Sequence, residues 1–313
     1  MKVIKNLRSC LSDKHIDFMK PHKIALIVSI LSIIISVTLV FTRGLNFGID
    51  FAGGILIEAR LNDVKKPING NLNFDVAKIR HLIDPKVKDV QIQNIGQDNL
   101  DELLIRVPKS KSEDQVVIIK KIQEILNINY PNIEYRKIDY VGPQVGTELI
   151  QNGILSLLLS FVFIMIYIWI RFDWQFGLGG IFALFHDMIL TLGLYSISGL
   201  EFNITSIAAI LTIIGYSIND SVVIYDRIRE NLRKSRKSDL SSLINSSINS
   251  TLSRTVLTSS VTLVSLLALI LFGGEVLKSF SIATFCGILV GTYSSIYISA
   301  PILLYINPRK EKS

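Results

Sequence analysis

Asp220 is the residue of this sequence that most strongly suggests chemistry, because it interrupts an apolar segment. The segment reads IIGYSINDSVVIYDRIREN over residues 213–231, and its apolar run continues beyond the carboxylate. An ionised aspartate in hydrocarbon costs at least about 2.5–3.5 kcal/mol, so such a residue is by default functional and needs a partner. Proton relays of membrane transporters are built from carboxylates of this kind. The structural alternative is that Asp220 caps a helix end.

Arg254 is the predicted partner of Asp220. It lies in STLSRTVLTSS, in the first turn of the next apolar segment, so two successive antiparallel membrane helices would place both residues at similar depth. A carboxylate and a guanidinium that meet in a partly dry environment offset each other's desolvation. The arginine then keeps the aspartate ionised until a proton arrives. The alternative is that Arg254 only snorkels to the headgroups.

Three more ionisable residues lie in or beside apolar segments. His186 and Asp187, in ALFHDMILTLG, are near the middle of another segment and fit either a proton relay or a structural hydrogen bond to a neighbouring helix. The hydroxyl-rich segment SRTVLTSSVTLVS is expected to supply that bond or to line a wet path for protons. Asp226, beside Arg227, fits a solvated interfacial residue.

Signatures of enzymes and metal sites are missing from the sequence. It contains no HExxH, CxxC, GxSxG or Walker motif, which are the usual signs of intramembrane proteolysis, metal chemistry and ATP hydrolysis. We therefore predict a protein that is not an enzyme, has no cofactor and takes energy for any transport from an ion gradient. Cys10 and Cys286 fall in different segments and offer no disulfide framework.

Six apolar segments are long enough to cross a lipid bilayer. Hydrophobic residues make up 49% of the 313 residues, and the mean hydropathy is +0.44, which is too apolar for a soluble protein. A spanning helix needs about 20 apolar residues, so we predict transmembrane helices at 24–42, 149–170, 176–198, 203–225, 254–273 and 279–305. The first segment is longer than the apolar core of a cleaved signal peptide and is predicted to be a retained anchor.

The net charge of +7 indicates topology rather than nucleic-acid binding. Residues 43–148 carry 15 basic and 15 acidic residues, whereas basic residues exceed acidic ones in the tail 1–23, the loop 226–253 and the tail 306–313. These three segments fall on one side of a six-helix arrangement, which the positive-inside rule assigns to the cytoplasm. We therefore predict that both termini are cytoplasmic and that no nucleic acid is bound.

Residues 43–148 form a polar region between the first and second helices, on the opposite side of the membrane. The pattern predicts, in order, a strand at Gly54–Leu61, a helix at Val76–Ile83, strands at 90–95 and 103–107, a helix at 114–126 and a strand at Ile133–Val141. This is the order of a ferredoxin-like α+β unit. Many transporters consist of two related halves, so we expect a second half on another polypeptide.

Six blocks of sequence match the signature motifs of a known family. They are GLNFGIDFAGG at 44–54, VGPQVGTEL at 141–149, RFDWQFGLGGIFALFHD at 171–187, IGYSINDSVVIYDRIREN at 214–231, SRTVLTSS at 253–260 and FGGEVLKSFSIATFCGILVGTYSSIYISAP at 272–301. In these blocks the chain resembles the SecF branch of the SecD/SecF protein-export family, within the resistance-nodulation-division superfamily. Departures are conservative, such as Ala52 where threonine is frequent.

The resemblance implies partners, a location and roles for the ionisable residues. SecF proteins pair with SecD in the bacterial inner membrane, associate with the SecYEG channel, SecA and YajC, and use the proton-motive force to promote late preprotein translocation. Asp220 and Arg254 match the family's proton-linked aspartate and its fifth-helix arginine. Asp226 matches another family carboxylate, and we include Asp187 in the predicted proton pathway. A small-molecule or lipid transporter of the same superfamily is the alternative function, although such pumps usually carry two large external domains in one chain.

Glycine-rich motifs flank the external domain. The motif residues are Gly44, Gly48, Asp50, Gly53, Gly54, Gly142 and Pro143. Glycine absorbs large backbone changes, so these positions fit hinges between the domain and the membrane helices. Tight turns at the membrane surface are an equal alternative. Gly287 and Gly291 make a GxxxG spacing that would let another helix approach closely.

Overall fold

The computed structural model describes residues 16–61, 76–84, 87, 90–94, 102–108, 115–235 and 238–308. The chain divides into a membrane-helix unit, Met1–Asn46 with Leu155–Ser313, and an α+β unit, Phe47–Ile154. The first 15 residues of the predicted N-terminal tail, with Cys10, and the last five residues of the C-terminal tail lie outside the described residues.

Ten helices and six strands are present in the described residues. The helices are α1 (His22–Arg43), α2 (Ile49–Ala52), α3 (Val76–Ile83), α4 (Gln115–Asn129), α5 (Pro143–Arg171), α6 (Trp174–Ser198), α7 (Ile204–Lys234), α8 (Leu240–Phe272), α9 (Gly274–Ser294) and α10 (Ala300–Ile306). The strands are β1 (Asn46–Phe47), β2 (Gly54–Leu61), β3 (Gln91–Asn94), β4 (Glu102–Pro108), β5 (Ile133–Val141) and β6 (Glu201–Phe202). A π-helical turn, Ser295–Ser299, joins α9 to α10.

Six helices of the described chain are long and apolar enough to cross a membrane, which confirms the predicted one-plus-five arrangement. They are α1, α5, α6, α7, α8, and α9 continued into α10. The spans α6, α7, and α9 with α10 are the most buried. The spans α1, α5 and α8 expose most of their apolar side chains. The central three therefore form the core of the membrane unit, and the outer three present apolar surface to lipid or to a partner.

The loop predicted at 226–253 is mainly helical. The fourth span, α7, continues to Lys234, and the fifth, α8, begins at Leu240. A helix rises about 1.5 Å per residue, so both helices exceed the roughly 30 Å of hydrocarbon and project beyond it. Asp239 caps α8 by accepting a hydrogen bond from the Ser242 backbone N–H at 3.0 Å. The spans predicted from hydropathy end where charged residues begin. The helices themselves continue, because charged residues do not end a helix.

The described end of the N-terminal tail packs along the first turns of α8. The backbone N–H groups of Ile16 and Phe18 donate to the side-chain oxygens of Asn249, at 2.9 Å, and of Asn245, at 2.8 Å. Phe18 and Met19 are buried in the apolar core of the membrane unit. This part of the predicted tail is therefore ordered by contacts with α8 that a pattern along the sequence cannot show.

The α+β unit has the predicted ferredoxin-like topology. Its four antiparallel strands lie in the order β3-β4-β2-β5, with β2 paired to both β4 and β5. The alternating side chains of β2 and β4 bury Ile55, Ile57, Leu103 and Ile105, and these pack in one core with α3 and α4. The predicted helix at 114–126 is observed as α4, and Asp114 lies outside the described residues. The order of strands and helices predicted from the sequence pattern is therefore confirmed.

Tyr135 joins the edge strand β5 to α4. Its hydroxyl lies 2.9 Å from the Asn127 side-chain oxygen and 3.2 Å from the Gln123 carbonyl oxygen, both of which accept. Partial burial disfavours the charged phenolate and raises the pKa of Tyr135 to about 12. The hydrogen-bonded neutral phenol therefore persists up to strongly alkaline pH.

The glycine motif before β2 contains turns that require glycine. Gly44 and Gly53 each end a helix with a φ of +73°, and Gly54 begins β2 with a φ of +134°. A Cβ on Gly54 would lie 2.4 Å from the Val107 carbonyl oxygen of the paired strand. Gly142 follows Val141, the residue of β5 that pairs with Gly54, but has no such constraint, and α5 begins directly after it at Pro143. The tight-turn interpretation therefore has a geometric basis at Gly54.

We predict that Gly54→Ala destabilises the α+β unit by about 2 kcal/mol or more, because the new Cβ combines backbone strain with a clash against the neighbouring strand. Resistance to limited proteolysis of the full chain in mild detergent would measure this. Gly142→Ala is the matched control, since its Cβ would make only ordinary contacts, the nearest 3.5 Å from the Tyr140 hydroxyl. Equal resistance in the two variants would contradict the prediction.

Candidate functional site: buried carboxylates in the helix bundle

Asp220 faces the interior of the membrane unit. Its side chain is 2% exposed, and the neighbouring Ser217 and Ser221 on α7 are equally buried. Among the described residues, no group donates a hydrogen bond to the Asp220 Oδ2 atom. A buried carboxylate oxygen without a donor is costly, and it is also the atom that an incoming proton can occupy. The helix-cap alternative does not fit, since α7 continues well past Asp220 to Lys234.

Arg254, at the cytoplasm-proximal part of α8 in the predicted topology, is the charged group that acts electrostatically on the Asp220 carboxyl. The ion pairs with N–O distances up to 4.0 Å in the described chain do not include Asp220 with Arg254. The Arg254 side chain is exposed on this chain. The two charges therefore attract across a gap, and the guanidinium is available to other groups.

Asp187 lies in a different environment, although it is also fully buried. Its Oδ1 atom is 2.9 Å from the His186 Nδ1 atom. Its Oδ2 atom accepts hydrogen bonds from the Ser217 hydroxyl on α7, at 2.5 Å, and from the Ser294 hydroxyl on α9, at 2.8 Å. Three central helices of the bundle therefore meet at one carboxylate.

The donors to Asp187 differ from the expected ones. The hydroxyl-rich segment of the fifth helix was expected to supply a structural hydrogen bond, but Ser217 and Ser294 come from the fourth and sixth helices. On α8 the Ser259 hydroxyl instead pairs with Thr292 at 2.9 Å. Isolated serines are common in membrane helices, so the sequence offered no signal that singled out Ser217 or Ser294.

Asp226 makes an interfacial ion pair. Its carboxylate accepts from an Arg171 guanidinium nitrogen at 2.9 and 3.3 Å, and both side chains are about half exposed. Arg229 donates to the Arg171 carbonyl oxygen at 3.0 Å. Six residues of helix separate Asp226 from Asp220, which is about 9 Å along the axis. The two carboxylates therefore occupy different depths, and Asp226 joins the end of α5 to α7.

A second buried contact lies near the π-helical turn. The Tyr225 and Ser299 hydroxyls are 2.5 Å apart and are both buried. A Cβ on Gly179 of α6 would lie 2.7 Å from the Ser299 carbonyl oxygen and 2.8 Å from the Tyr225 hydroxyl, so α6 approaches this contact closely. Pro301 follows the turn at the start of α10. Single π-helical turns occur frequently at functional sites.

The predicted GxxxG contact is present within the chain, between α9 and α7. A Cβ on Gly287 would lie 2.2 Å from the Cδ1 atom of Ile213, and one on Gly291 would lie 3.1 Å from the Cβ atom of Ser217. These glycines let α9 approach α7 closely enough for Ser217 and Ser294 to reach the same carboxylate oxygen. Small residues therefore set the distance at which the polar contacts form.

Metal binding has no support in the described part of the chain, where no group of three or more His, Cys, Asp or Glu side chains is placed to hold an ion. Cys286 is a lone thiol. The ionisable groups that remain are two buried carboxylates and a buried histidine in the helix bundle, with the exposed Arg254 on α8. A proton is the ligand that such groups can bind and release without a metal or cofactor.

Together, the bundle and the domain define a multi-pass membrane protein with six spanning helices and one α+β domain between the first two. The sequence profile described as the protein export membrane protein SecD/SecF C-terminal region matches residues 120–309, and that of the SecD/SecF GG motif matches residues 38–62. The chain therefore belongs to the SecD/SecF family of protein-export membrane proteins.

Relatives and solved structures agree with this assignment. The SecF protein translocase subunit of Rickettsia bellii is 51% identical over 299 residues, which cover 95% of both chains, and that of Rickettsia prowazekii is 50% identical over 94% of this chain and 92% of its own. The crystal structure of SecDF from Thermus thermophilus matches with a TM-score of 0.78 and 37% identity. A SecDF structure in a super-membrane-facing form matches with a TM-score of 0.69 and 38% identity.

The two solved SecDF chains are matched over similar shares of their length. The match covers 95% of this chain but only 39% and 40% of those two chains. This chain therefore spans about two fifths of the SecDF polypeptides, whereas it spans nearly the whole length of the SecF relatives.

We predict that Gly287→Ala destabilises the bundle by about 1–3 kcal/mol, because Ile213 is β-branched, buried and unable to move away. The thermal unfolding midpoint of the purified chain in detergent should fall. Gly215→Ala on α7 is the control, since a Cβ there meets no atom within 4 Å. A fall of the same size in both variants would show that α9 and α7 do not require the close approach.

Proposed function

We propose that this protein is an auxiliary subunit of the bacterial Sec preprotein translocase, which pairs with SecD and uses the proton-motive force to promote late translocation. The observation that carries the proposal is the buried Asp220 carboxylate, whose Oδ2 atom has no donor in the described chain while a cation on the next helix acts on it. Family membership supplies the context of protein export.

The energetics suit a proton cycle at Asp220. Desolvation opposes an ionised carboxylate at this position and Arg254 favours it. Binding and release of one proton therefore change the electrostatic attraction between Asp220 on α7 and Arg254 on α8. A proton that crosses a membrane potential of 100 mV releases about 2.3 kcal/mol from the electrical potential alone, without any contribution from the pH difference. An energy of this size is sufficient to bias a two-state helix bundle whose states differ by a few kcal/mol.

The exposed face of α7 supports a partner in the membrane. Four small or polar residues recur along it at helical spacing, namely Ala208, Thr212, Gly215 and Asn219. Membrane helices associate through small residues that allow close approach and through polar side chains that bond across the interface. A SecD helix is the occupant we propose, because about three fifths of each matched SecDF chain lies outside the part that this chain covers. The exposed Arg254 lies on the neighbouring helix and is available to the same partner.

The remaining assignments follow from the family and from charge. We propose SecYEG with SecA, YajC and the translocating preprotein as further partners. The excess of basic residues in the tails and in the segment 226–253 supports cytoplasmic termini in the bacterial inner membrane and a periplasmic α+β domain. Of the predicted proton-pathway residues, Asp220 and Arg254 carry this proposal, while Asp226 is engaged by Arg171 at the helix ends.

Asp220→Asn is expected to leave the protein inserted and bound to SecD but to abolish the gradient-dependent stimulation of export, since asparagine keeps the size and loses the proton cycle. Export into inverted membrane vesicles with and without a proton gradient measures this. Asp226→Asn serves as the comparison, because an exposed ion pair contributes only about 0–1 kcal/mol. Wild-type stimulation in Asp220→Asn under a normal gradient would rule out the relay.

Arg254→Ala is expected to impair gradient-dependent export, and Arg254→Lys to restore only part of it. Lysine keeps the charge but lacks the planar fork that engages a carboxylate at two points. The same vesicle assay measures both variants, with SecD co-purification as the check on assembly. If alanine is harmless, Arg254 only snorkels to the headgroups and Asp220 has another partner.

A further inference from the structure

The bundle contains two buried aspartates, and hydrogen bonding distinguishes them. Asp187 has a partner for each oxygen: His186 at Oδ1, and both Ser217 and Ser294 at Oδ2. Asp220 has an oxygen without any donor in the described chain. An ionised carboxylate has about four acceptor sites, so three of the sites on Asp187 are filled, whereas the Asp220 Oδ2 atom has none filled. The geometry therefore fits different roles for the two residues.

The partners of Asp187 lie where they control the helix that carries Asp220. Ser217 is three residues before Asp220 on α7, less than one helical turn, and both side chains face the interior. Ser294 lies one turn after Gly291, whose close approach to Ser217 brings α9 against α7. One carboxylate on α6 therefore holds α7 and α9 at the level of the proton-binding residue.

The arrangement of donors also assigns the hydrogen on His186. With Asp187 ionised, its carboxylate only accepts, and the Nδ1 atom of His186 then carries the hydrogen that it shares with Asp187 Oδ1. The Nε2 atom is buried and has no hydrogen-bond partner among the described residues. Nothing in the described surroundings of Nε2 therefore fixes the ring in one tautomer, and the hydrogen bond at Nδ1 decides it.

We propose that Asp187 is a positioning residue that clamps the third, fourth and sixth membrane helices and thereby sets the depth and rotation of Asp220. In this role the hydrogen-bonding pattern matters and a cycle of protonation at Asp187 does not. The inference rests on the proposed proton-coupled function only for its activity readout. Its structural consequences stand independently of that function.

Asparagine at position 187 separates the two roles. Its carbonyl oxygen can accept from both Ser217 and Ser294, and its amide can donate to His186 Nδ1 once the ring moves its hydrogen to Nε2. The clamp is then kept with the charge removed. A proton carrier would be inactivated by the same change, as we expect for Asp220→Asn.

The first test removes the clamp's donors from the full chain in complex with SecD. Ser217→Ala with Ser294→Ala should lower gradient-dependent export by about tenfold or more, since two hydrogen bonds to a buried carboxylate are lost. The thermal unfolding midpoint in detergent should fall as well. Ser221→Ala with Ser281→Ala is the matched control on the same two helices, because these buried hydroxyls have no partner in the described chain. Equal export and equal midpoints in the two double variants would overturn the clamp.

The second test compares Asp187→Asn with Asp187→Ala in the same complex. We expect asparagine to retain gradient-dependent export within about threefold of wild type and alanine to lose it. Nitrogen NMR of labelled histidine should show the hydrogen on Nδ1 of His186 in the wild type and on Nε2 in Asp187→Asn. Loss of export in Asp187→Asn to the level of Asp220→Asn, or an Nε2 hydrogen in the wild type, would overturn the inference.

These outcomes remain separate from the fate of the proposed function. If Asp220→Asn exports normally, the proton-coupled role fails, but the NMR tautomers and the unfolding midpoints still decide the clamp. If the clamp fails while Asp220→Asn loses stimulation, the proposed function stands, and loss of export in Asp187→Asn would then place Asp187 in the proton pathway.

Discussion

The hydrogen bonds to the Asp187 carboxylate are the interaction on which the arrangement of the helix bundle depends. Hydrocarbon offers no water to a buried polar group, so each such group must find its partner within the protein. Asp187 finds three donors, two of them on other helices. This one carboxylate therefore joins α6, α7 and α9, while the main apolar cluster of the membrane unit packs around Tyr225, Ile244 and Leu303.

Close helix approach is the condition for those bonds. Gly287 and Gly291 remove the side chains that would separate α9 from α7, and Gly193 similarly lets α6 approach Ser36 on α1. Because the hydrophobic effect does not drive helices together within lipid, their association depends on such close packing and on polar contacts between the helices. Small residues and hydroxyls in this bundle are therefore two parts of one arrangement, since the hydroxyls reach their acceptors only where the backbones approach.

Asp220 is the exception that this arrangement makes possible. A rigid, satisfied cluster one turn away can hold a carboxylate whose own bonding is incomplete, at a cost that the rest of the bundle offsets. Such incomplete bonding is typical of functional sites, where a group is kept ready to bind a ligand. The exposed face of α7, which includes Asn219 next to Asp220, and the exposed Arg254 form the surface at which we propose that a SecD helix packs. A partner helix that packs there would complete the surroundings of Asp220.

The sequence by itself determined the six spans, the α+β order of the domain between the first two, and Asp220 as the unusual residue. These features follow from local composition: hydropathy reports bilayer crossing, period-two alternation reports a half-buried strand, and a charge in an apolar run is visible without any contact. Only the tertiary structure decided that Ser217 and Ser294 satisfy Asp187, that Asp226 pairs with Arg171, and that the segment 226–253 is mainly helical. The bonds to Asp187 join residues 30 and 107 positions apart, and that to Asp226 joins residues 55 apart. Which of many similar serines meets a carboxylate depends on helix rotation and depth, which are set by packing across the whole bundle and leave no pattern along the chain.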